Sequence, residues 1–321
     1  MRHTGWLSVA VLIGIALSLF VGRYPQPYVL SPATLSTDIV AQKVVVQLRL
    51  PRVLMGALLG MTLATAGLVL QMIFRNPLVE PGFLGVSQGA AFGAAFSIIF
   101  LKGSPLVIEL MATAFALLGL LGSFVLARSV RFGDWNLRLI LAGIIVSAFL
   151  AAGVGLLKYL ADPLRELQEI TFWLLGGLWG VSWEDFVYVL PFVVPGVSLA
   201  YFMRWRLNLL SLEDETAFSL GVETTRERAL VLIAVVAAVA ALVSVAGLVG
   251  WIGLITPHLA RRLVGGAEAH RALPVSLLLG GLVTVGCDTL ARTLIAGEIP
   301  LGILTSFFGA AGFASLMRWR V

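Results

Sequence analysis

RLPRVLMGALLGMTLATAGLVLQMIFRNPLVEPGFLGVSQG, residues 49–89, decides how this chain folds. Arg49 and Arg52 precede an apolar run long enough for a bilayer, which takes roughly 20 residues per helix, and the run ends at Asn76-Pro77. A water-soluble core has no use for such a run bounded by charge. In a bilayer, charge belongs at the mouth of a span, and proline-interrupted backbone is tolerated only where protein buries it or it lines a water-filled path. The segment reads as one traverse of a membrane beside a transport route.

The rest of the chain agrees. Of 321 residues, 59% are hydrophobic and 12% charged, and the mean hydropathy is +1.00; soluble domains carry about 25% charged residues. The composition is that of an integral membrane protein with almost nothing left for a soluble domain. The formal charge of +5 does not imply nucleic acid, because the basic residues sit at the ends of apolar runs rather than in a stripe. A single cysteine, Cys287, excludes an internal disulfide and any cysteine-rich metal site, and its small apolar neighbours mark it as packing. Arg2 before the run Trp6 to Val21 suggests a signal peptide, but no small-x-small cleavage site follows, so the run reads as a retained first helix.

Spans are expected at about 6–22, 52–73, 82–100, 106–128, 138–160, 186–203, 228–248, 251–266, 272–293 and 301–318. Ten spans make one all-α transmembrane domain over residues 1–321, with both termini on one side. The connections on that side hold Arg75, Arg128/Arg131/Arg138, Arg204/Arg206, Arg226/Arg228, Arg261/Arg262, Arg271 and Arg318/Arg320; with Arg2 these are most of the 22 lysines and arginines. The positive-inside rule puts both termini in the cytoplasm. A weak repeat is also present: Ala66-Gly67-Leu68-Val69 followed by Pro77 recurs as Ala246-Gly247-Leu248-Val249 followed by Pro257. An odd number of spans separates the copies, so the halves would be inverted, an architecture used for alternating access.

One cytoplasmic connection, about 207–227, is longer and more polar than the others and carries Glu213, Asp214, Glu215, Glu223 and Glu227. Leu212, Thr216, Ala217 and Leu220 fall at helical spacing, so a short amphipathic helix with an acidic start is expected, a docking element for a soluble partner.

Taken in order, RLPR (49–52), AGLVLQMIFRNPLVEPGFLGVSQGA (66–90), RLILAG (138–143), FWLLGGLWGVSW (172–183), LSLEDETAFSLGV (210–222), AGLVGWIGLITPHLARRLVG (246–265), CDTLAR (287–292) and EIPLGILTSFFG (298–309) resemble the permease family of ABC importers for iron chelates and cobalamin, the type II importers. The resemblance runs from about residue 45 to the C-terminus. It implies an inverted-repeat permease fold in a prokaryotic plasma membrane. It further implies a homodimer or pseudodimer of ten-helix subunits around a central path, two cytoplasmic ATPase subunits that bind ATP and Mg, and an extracytoplasmic binding protein that delivers the ligand. No cofactor is expected in this subunit, which lacks a Walker-type glycine-rich lysine loop.

By the same resemblance, Arg49, Arg52 and Arg292 form a pocket that accepts a carboxylate from the binding protein; guanidinium forks pair bidentately with carboxylates. Asp288, four residues before Arg292, is placed to pair with it. Asn76 and Leu78, with Asn136 and Leu137, match the constrictions of the cytoplasmic gate. The last two depart from the small hydroxyl residues of the cobalamin transporter. Glu213, Asp214, Glu215, Ala217, Leu220 and Gly221 match the coupling segment that receives ATP-driven motion. His258, after Pro257, reads as a hydrogen-bonded structural residue beside a helix break, and Glu298-Ile299-Pro300 as a turn before the last span. Gly309-Ala310-Ala311 replaces the family's Gly-x-Pro, so the final break is softer. Trp173, Trp179 and Trp183 read as interfacial aromatics, and Gly60, Gly67, Gly85, Gly89 and Gly93 as contacts for close helix packing.

The expected function is ATP-driven import of a metal chelate: ferric siderophore first, then haem or cobalamin, with an oxyanion such as molybdate as the alternative within the family. An ion-coupled carrier fits less well, because intramembrane carboxylates are sparse. A membrane enzyme fits less well still, because no catalytic cluster is legible.

Overall fold

The computed structural model describes residues 2–24, 29–295 and 297–318; Arg320 lies outside them. Helix α1 (Arg2–Phe20) is followed by α2 (Pro32–Thr37) and α3 (Ile39–Lys43), which continues through a π turn into α4 (Leu50–Ile73). Next come α5 (Val86–Phe96, extended by a π turn to Leu101), α6 (Pro105–Ser129), α7 (Trp135–Leu160), α8 (Glu166–Leu175) and α9 (Trp183–Phe202). The chain then forms α10 (Arg204–Leu210), α11 (Asp214–Ser219), α12 (Thr224–Ala246), α13 (Ile252–Val264), α14 (Ala269–Thr293) and α15 (Leu301–Arg318).

All ten expected spans are helical. Among the described residues, six helical stretches have the length and apolarity to cross a bilayer: Ile39–Ile73, Pro105–Ser129, Trp135–Leu160, Trp183–Phe202, Thr224–Ala246 and Ala269–Thr293. The expected span at 251–266 is only partly helical. Its helix, α13, has 13 residues, about 20 Å at 1.5 Å per residue, against a hydrocarbon core of roughly 30 Å. The chain reaches α13 through the non-helical stretch after Ala246. Helix α15 runs through Gly309-Ala310-Ala311 with no break where a softer one is expected, and the missing proline leaves its hydrogen-bond ladder free to continue.

Long helix, break, shorter helix, long helix is an order that occurs twice, in α4–α5–α6 and in α12–α13–α14. The tetrapeptide copies are conformationally unequal within it. Ala66–Val69 lies inside α4, whereas Ala246 ends α12 and Gly247, at φ 64°, turns the chain away.

The break after α4 is built by its own backbone. Asn76 N donates to Gln71 O (3.1 Å) and Arg75 N to Met72 O (3.2 Å), with Arg75 at φ 52°. This is a Schellman termination with arginine where glycine is usual. Asn76 Oδ1 then accepts from Leu78 N at 2.9 Å, closing a turn around Pro77. The two breaks meet, because Glu80 Oε2 accepts from Trp251 N (3.4 Å). Pro257 does not break the chain, contrary to expectation, but sits inside α13. Pro257 has no N–H to give to Gly253 O, and Gln71 Nε2 of α4 reaches that carbonyl (3.4 Å) and Leu254 O (3.2 Å) instead. His258 Nδ1 lies 2.7 Å from Leu254 O, the structural role expected of it.

Helix α4 is the axis of the fold, with 83% of its most apolar window buried against 22% for α7 and α9. Its contact with α14 is reciprocal. A Cβ on Gly60 would lie 2.1 Å from Gly280 O, and one on Gly280 would lie 2.2 Å from Gly60 O. Only glycine on both sides allows that approach, and apolar packing supplies the rest in an interior with no water to expel. Gly60→Ala is therefore expected to lower the thermal midpoint of the detergent-solubilised protein, an overpacking loss of about 1–3 kcal/mol or more. Gly286→Ala on α14, where a Cβ meets nothing within 4 Å, should leave it unchanged or raise it.

Candidate functional site

The three arginines singled out from the sequence converge on one cavity of about 420 Å³, whose walls also include Arg23, Tyr24, Trp179 and Glu298. Each is held by the chain itself. Arg49 is buried and donates from Nη1 to Leu19 O (2.9 Å) and from Nη2 to Tyr24 O (2.5 Å), the carbonyls that follow α1 as it ends. Arg52 bridges two carboxylates: Nε and Nη2 donate to Asp288 (3.0 and 2.9 Å to Oδ1), and Nη1 donates to Glu298 (2.9 Å to Oε2). Arg292 donates to Ser18 O and Ser18 Oγ, and its Nε lies 3.6 Å from Asp288 Oδ2, so the expected intrahelical pair is present at the outer limit of contact.

Asp288, 1% exposed, is thus the hub of the cluster. Two carboxylates face Arg49, Arg52 and Arg292, and the walls keep a positive excess suited to an incoming anion or carboxylate. Tyr24 donates to Asp38 Oδ2 (3.2 Å), and that carboxylate holds the phenol pKa above its ordinary value. Trp183 Nε1 donates to Val46 O (3.0 Å), tying α9 to the π turn before α4.

The opposite end of α4 gathers the second group. Asn136 is buried and its Nδ2 donates to Ile73 O (3.0 Å), while Asp134, the N-cap of α7, accepts from Leu137 N and lies 3.6 Å from Arg75 Nη2. The first turn of α7 is therefore fastened to the end of α4 at two points. Leu78 and Leu137 remain exposed, and Asn76 and Pro77 line a cavity of about 660 Å³ with Gln71 and Arg261. Arg261 Nη1 donates to Gln71 Oε1 (2.7 Å), completing a chain from α13 through Gln71 to the break.

The third group is the acidic connection. Its helix, α11, spans only Asp214–Ser219, with Asp214 and Glu215 in its first turn. The expected amphipathic register is corrected: only Ala217 of that set is buried, and Leu212 and Leu220 lie outside the helix and exposed. Exposed with them are Glu213, Glu215 and Gly221. Phe218 is 76% and Leu220 56% exposed, an uncovered apolar pair beside an acidic helix start. Six residues form too short a helix to bury a stripe of their own, and the segment is instead organised by Arg228 of α12. Buried at 3% exposure, Arg228 donates to Leu210 O, Leu212 O and Asp214 Oδ1.

The FecCD transport family matches residues 10–319. The chain belongs to that family. Among FecCD relatives, the molybdate import permease of Haemophilus influenzae is 40% identical over 320 residues, covering 97% of this chain and 94% of that one. The hemin transport permease of Yersinia pestis is 36% identical over 279 residues, 84% of this chain and 81% of that one. A solved structure described as a metal-chelate type ABC transporter in an inward-facing conformation superposes with a TM-score of 0.91 at 37% identity, covering 99% of both chains. This FecCD chain is a multi-pass membrane permease of the ABC transporter class.

Two residues of the permease escaped the sequence reading. Arg228 was counted only as a flanking charge; its sole signal was an arginine one turn inside α12. Glu109 is hidden in an apolar run, yet it is buried on α6 with Asp185 of α9 nearby, one of the sparse carboxyls within the spans. The ion network yields a direct test. Asp288→Asn should cost about 3–5 kcal/mol, the range for breaking a buried ion pair by removing one partner. The loss is read as a lowered unfolding midpoint in detergent, and Arg52→Gln added to Asp288→Asn should recover part of it.

Proposed function

We propose that the chain is the membrane-spanning subunit of an ATP-driven importer, a homodimer that receives a metal chelate from an extracytoplasmic binding protein and passes it inward by alternating access. The family match over residues 10–319 carries this reading. The arginine cavity lies on the extracytoplasmic side, where a carboxylate of the binding protein would compete with Glu298 for Arg52. Electrostatic contacts of this kind steer encounter and fix register more than they add affinity. The Asn76, Leu78, Asn136 and Leu137 group lies on the cytoplasmic side with both termini, and its fastened helix ends are the gate.

The Asp214–Ser219 helix with Phe218 and Leu220 is the seat of the ATPase. Aromatic side chains such as Phe are enriched at protein interfaces. Helix α7, with Phe149 78% and Tyr159 86% exposed, supplies apolar surface for the second protomer and for lipid. A cavity of about 830 Å³ between α8, α15 and the link before α13, lined mainly by apolar residues with Ser306 and Glu80, belongs to the path. Its walls suit weak contact with cargo.

A molybdate-type oxyanion is the second reading, favoured by the near full-length likeness to the Haemophilus influenzae permease. Reconstitution with the ATPase and binding protein in liposomes, driven by ATP, tests both: uptake of a ferric chelate, haem or cobalamin supports the first, and uptake of molybdate alone supports the second. Uptake driven by an ion gradient without ATPase would overturn both. Phe218→Ala with Leu220→Ala should weaken ATPase co-purification by roughly 30-fold, a loss of about 2 kcal/mol, while the thermal midpoint of the permease stays unchanged, because both side chains are exposed.

A further inference from the structure

A groove of about 830 Å³ runs between α1 and the junction of α9 with α10, with α14 as its floor. Its polar mouth carries Arg204 and Arg271, with Thr4 and Ser8 of α1 opposite, and no carboxylate lines it among the described residues. Arg204 donates to Tyr201 O (2.7 Å) and lies over the Tyr201 ring, 4.2 Å from its centroid. No acidic partner answers Arg204 among the described ion pairs. Arg271 pairs with Glu268 (3.2 Å), which also approaches His270 (3.5 Å) and stands outside the groove, so its charge is only partly offset. Beyond the arginines the lining turns apolar along α14, through Val275, Leu277 and Leu278. Both arginines stand at the ends of membrane-crossing helices, α9 and α14, the level at which headgroups lie.

We propose that this groove binds an anionic phospholipid, its phosphate between Arg204 and Arg271 and an acyl chain along α14. Charge complementarity selects the headgroup, and the continuous apolar floor selects a lipid over a soluble phosphate. Basic pockets between transmembrane helices hold anionic headgroups in this way, each arginine near the surface adding about 1 kcal/mol. Such a lipid would bridge α1, which packs on α14 but makes no extensive contact with α9, to the α9–α10 junction. The inference needs only the membrane placement and does not rest on the identity of the cargo.

Native mass spectrometry of the full-length protein released from nanodiscs of mixed phosphatidylglycerol and phosphatidylcholine tests it. Phosphatidylglycerol is expected to be retained at least tenfold over phosphatidylcholine. Arg204→Gln and Arg271→Gln should each reduce that preference roughly fivefold, and Leu278→Trp, which fills the apolar floor without touching charge, should reduce retention of the lipid. Arg165→Gln, an exposed arginine elsewhere, should change nothing. Equal retention of the two lipids would overturn the proposal, as would full retention in the double arginine variant with an unchanged unfolding midpoint. Displacement by soluble glycerol phosphate as effectively as by phosphatidylglycerol would also overturn it.

Discussion

The close approach of α4 and α14 at Gly60 and Gly280 is the constraint on which the remaining geometry depends. Because the two backbones touch there, residues on either side of the contact are brought into register along both helices. Toward the start of α4 that register sets Arg52 against Asp288; toward its end, Ser276 of α14 donates to Ala64 O (3.3 Å). Helix α13 follows the same logic one neighbour away, with Gly67 against Gly253 and Gln71 supplying the hydrogen bond that Pro257 forfeits. In lipid, where apolar side chains gain little by leaving one hydrocarbon for another, contact distance and hydrogen bonding decide which helices associate. Glycines at the crossing and polar groups at its two ends are that arrangement.

The polar clusters obey the same economy of satisfaction. Arg49 and Arg292 lie in low-dielectric surroundings, yet much of their hydrogen bonding goes to backbone carbonyls where α1 ends, at Ser18, Leu19 and Tyr24. Those carbonyls have no intrahelical partner. Arginine side chains from the start of α4 and the last turn of α14 thus satisfy carbonyls at and just beyond the end of α1, and become struts. The charges are already engaged, so the proposed incoming carboxylate would have to meet Arg52 by exchange with Glu298, which is 37% exposed.

Hydropathy made the spans legible because the bilayer fixes both their length and their composition, and the glycine spacing in residues 49–89 foretold close packing. What escaped was set by tertiary context. The short α13 escaped because the apolar link before it reads as continuous hydrophobicity, and hydropathy cannot tell a helix from extended chain. The register of α11 escaped because its neighbours, rather than its periodicity, choose which face is covered. Arg49 and Arg52 were legible as a pair at a helix mouth, but their partners Leu19, Tyr24, Asp288 and Glu298 lie far away in sequence, beyond any local pattern. Glu109 and Arg228 were invisible for the opposite reason: single charges inside or beside apolar runs look like flanking residues until the fold supplies a mate.

Arg228 has a mechanical consequence. By clasping Leu210, Leu212 and Asp214, it makes α10, α11 and the foot of α12 one solid piece, leaving no slack between the exposed Phe218 and a long helix buried over most of its length. If the ATPase seats on Phe218 as proposed, a displacement there would not be dissipated by bending the connection. It would be delivered along the shaft of α12 to its far end, where Gly247 and Trp251, both at positive φ, form the joint that also touches Glu80. On that reading the segment that looks like a surface loop is the short arm of a lever, and the two helix breaks share its fulcrum.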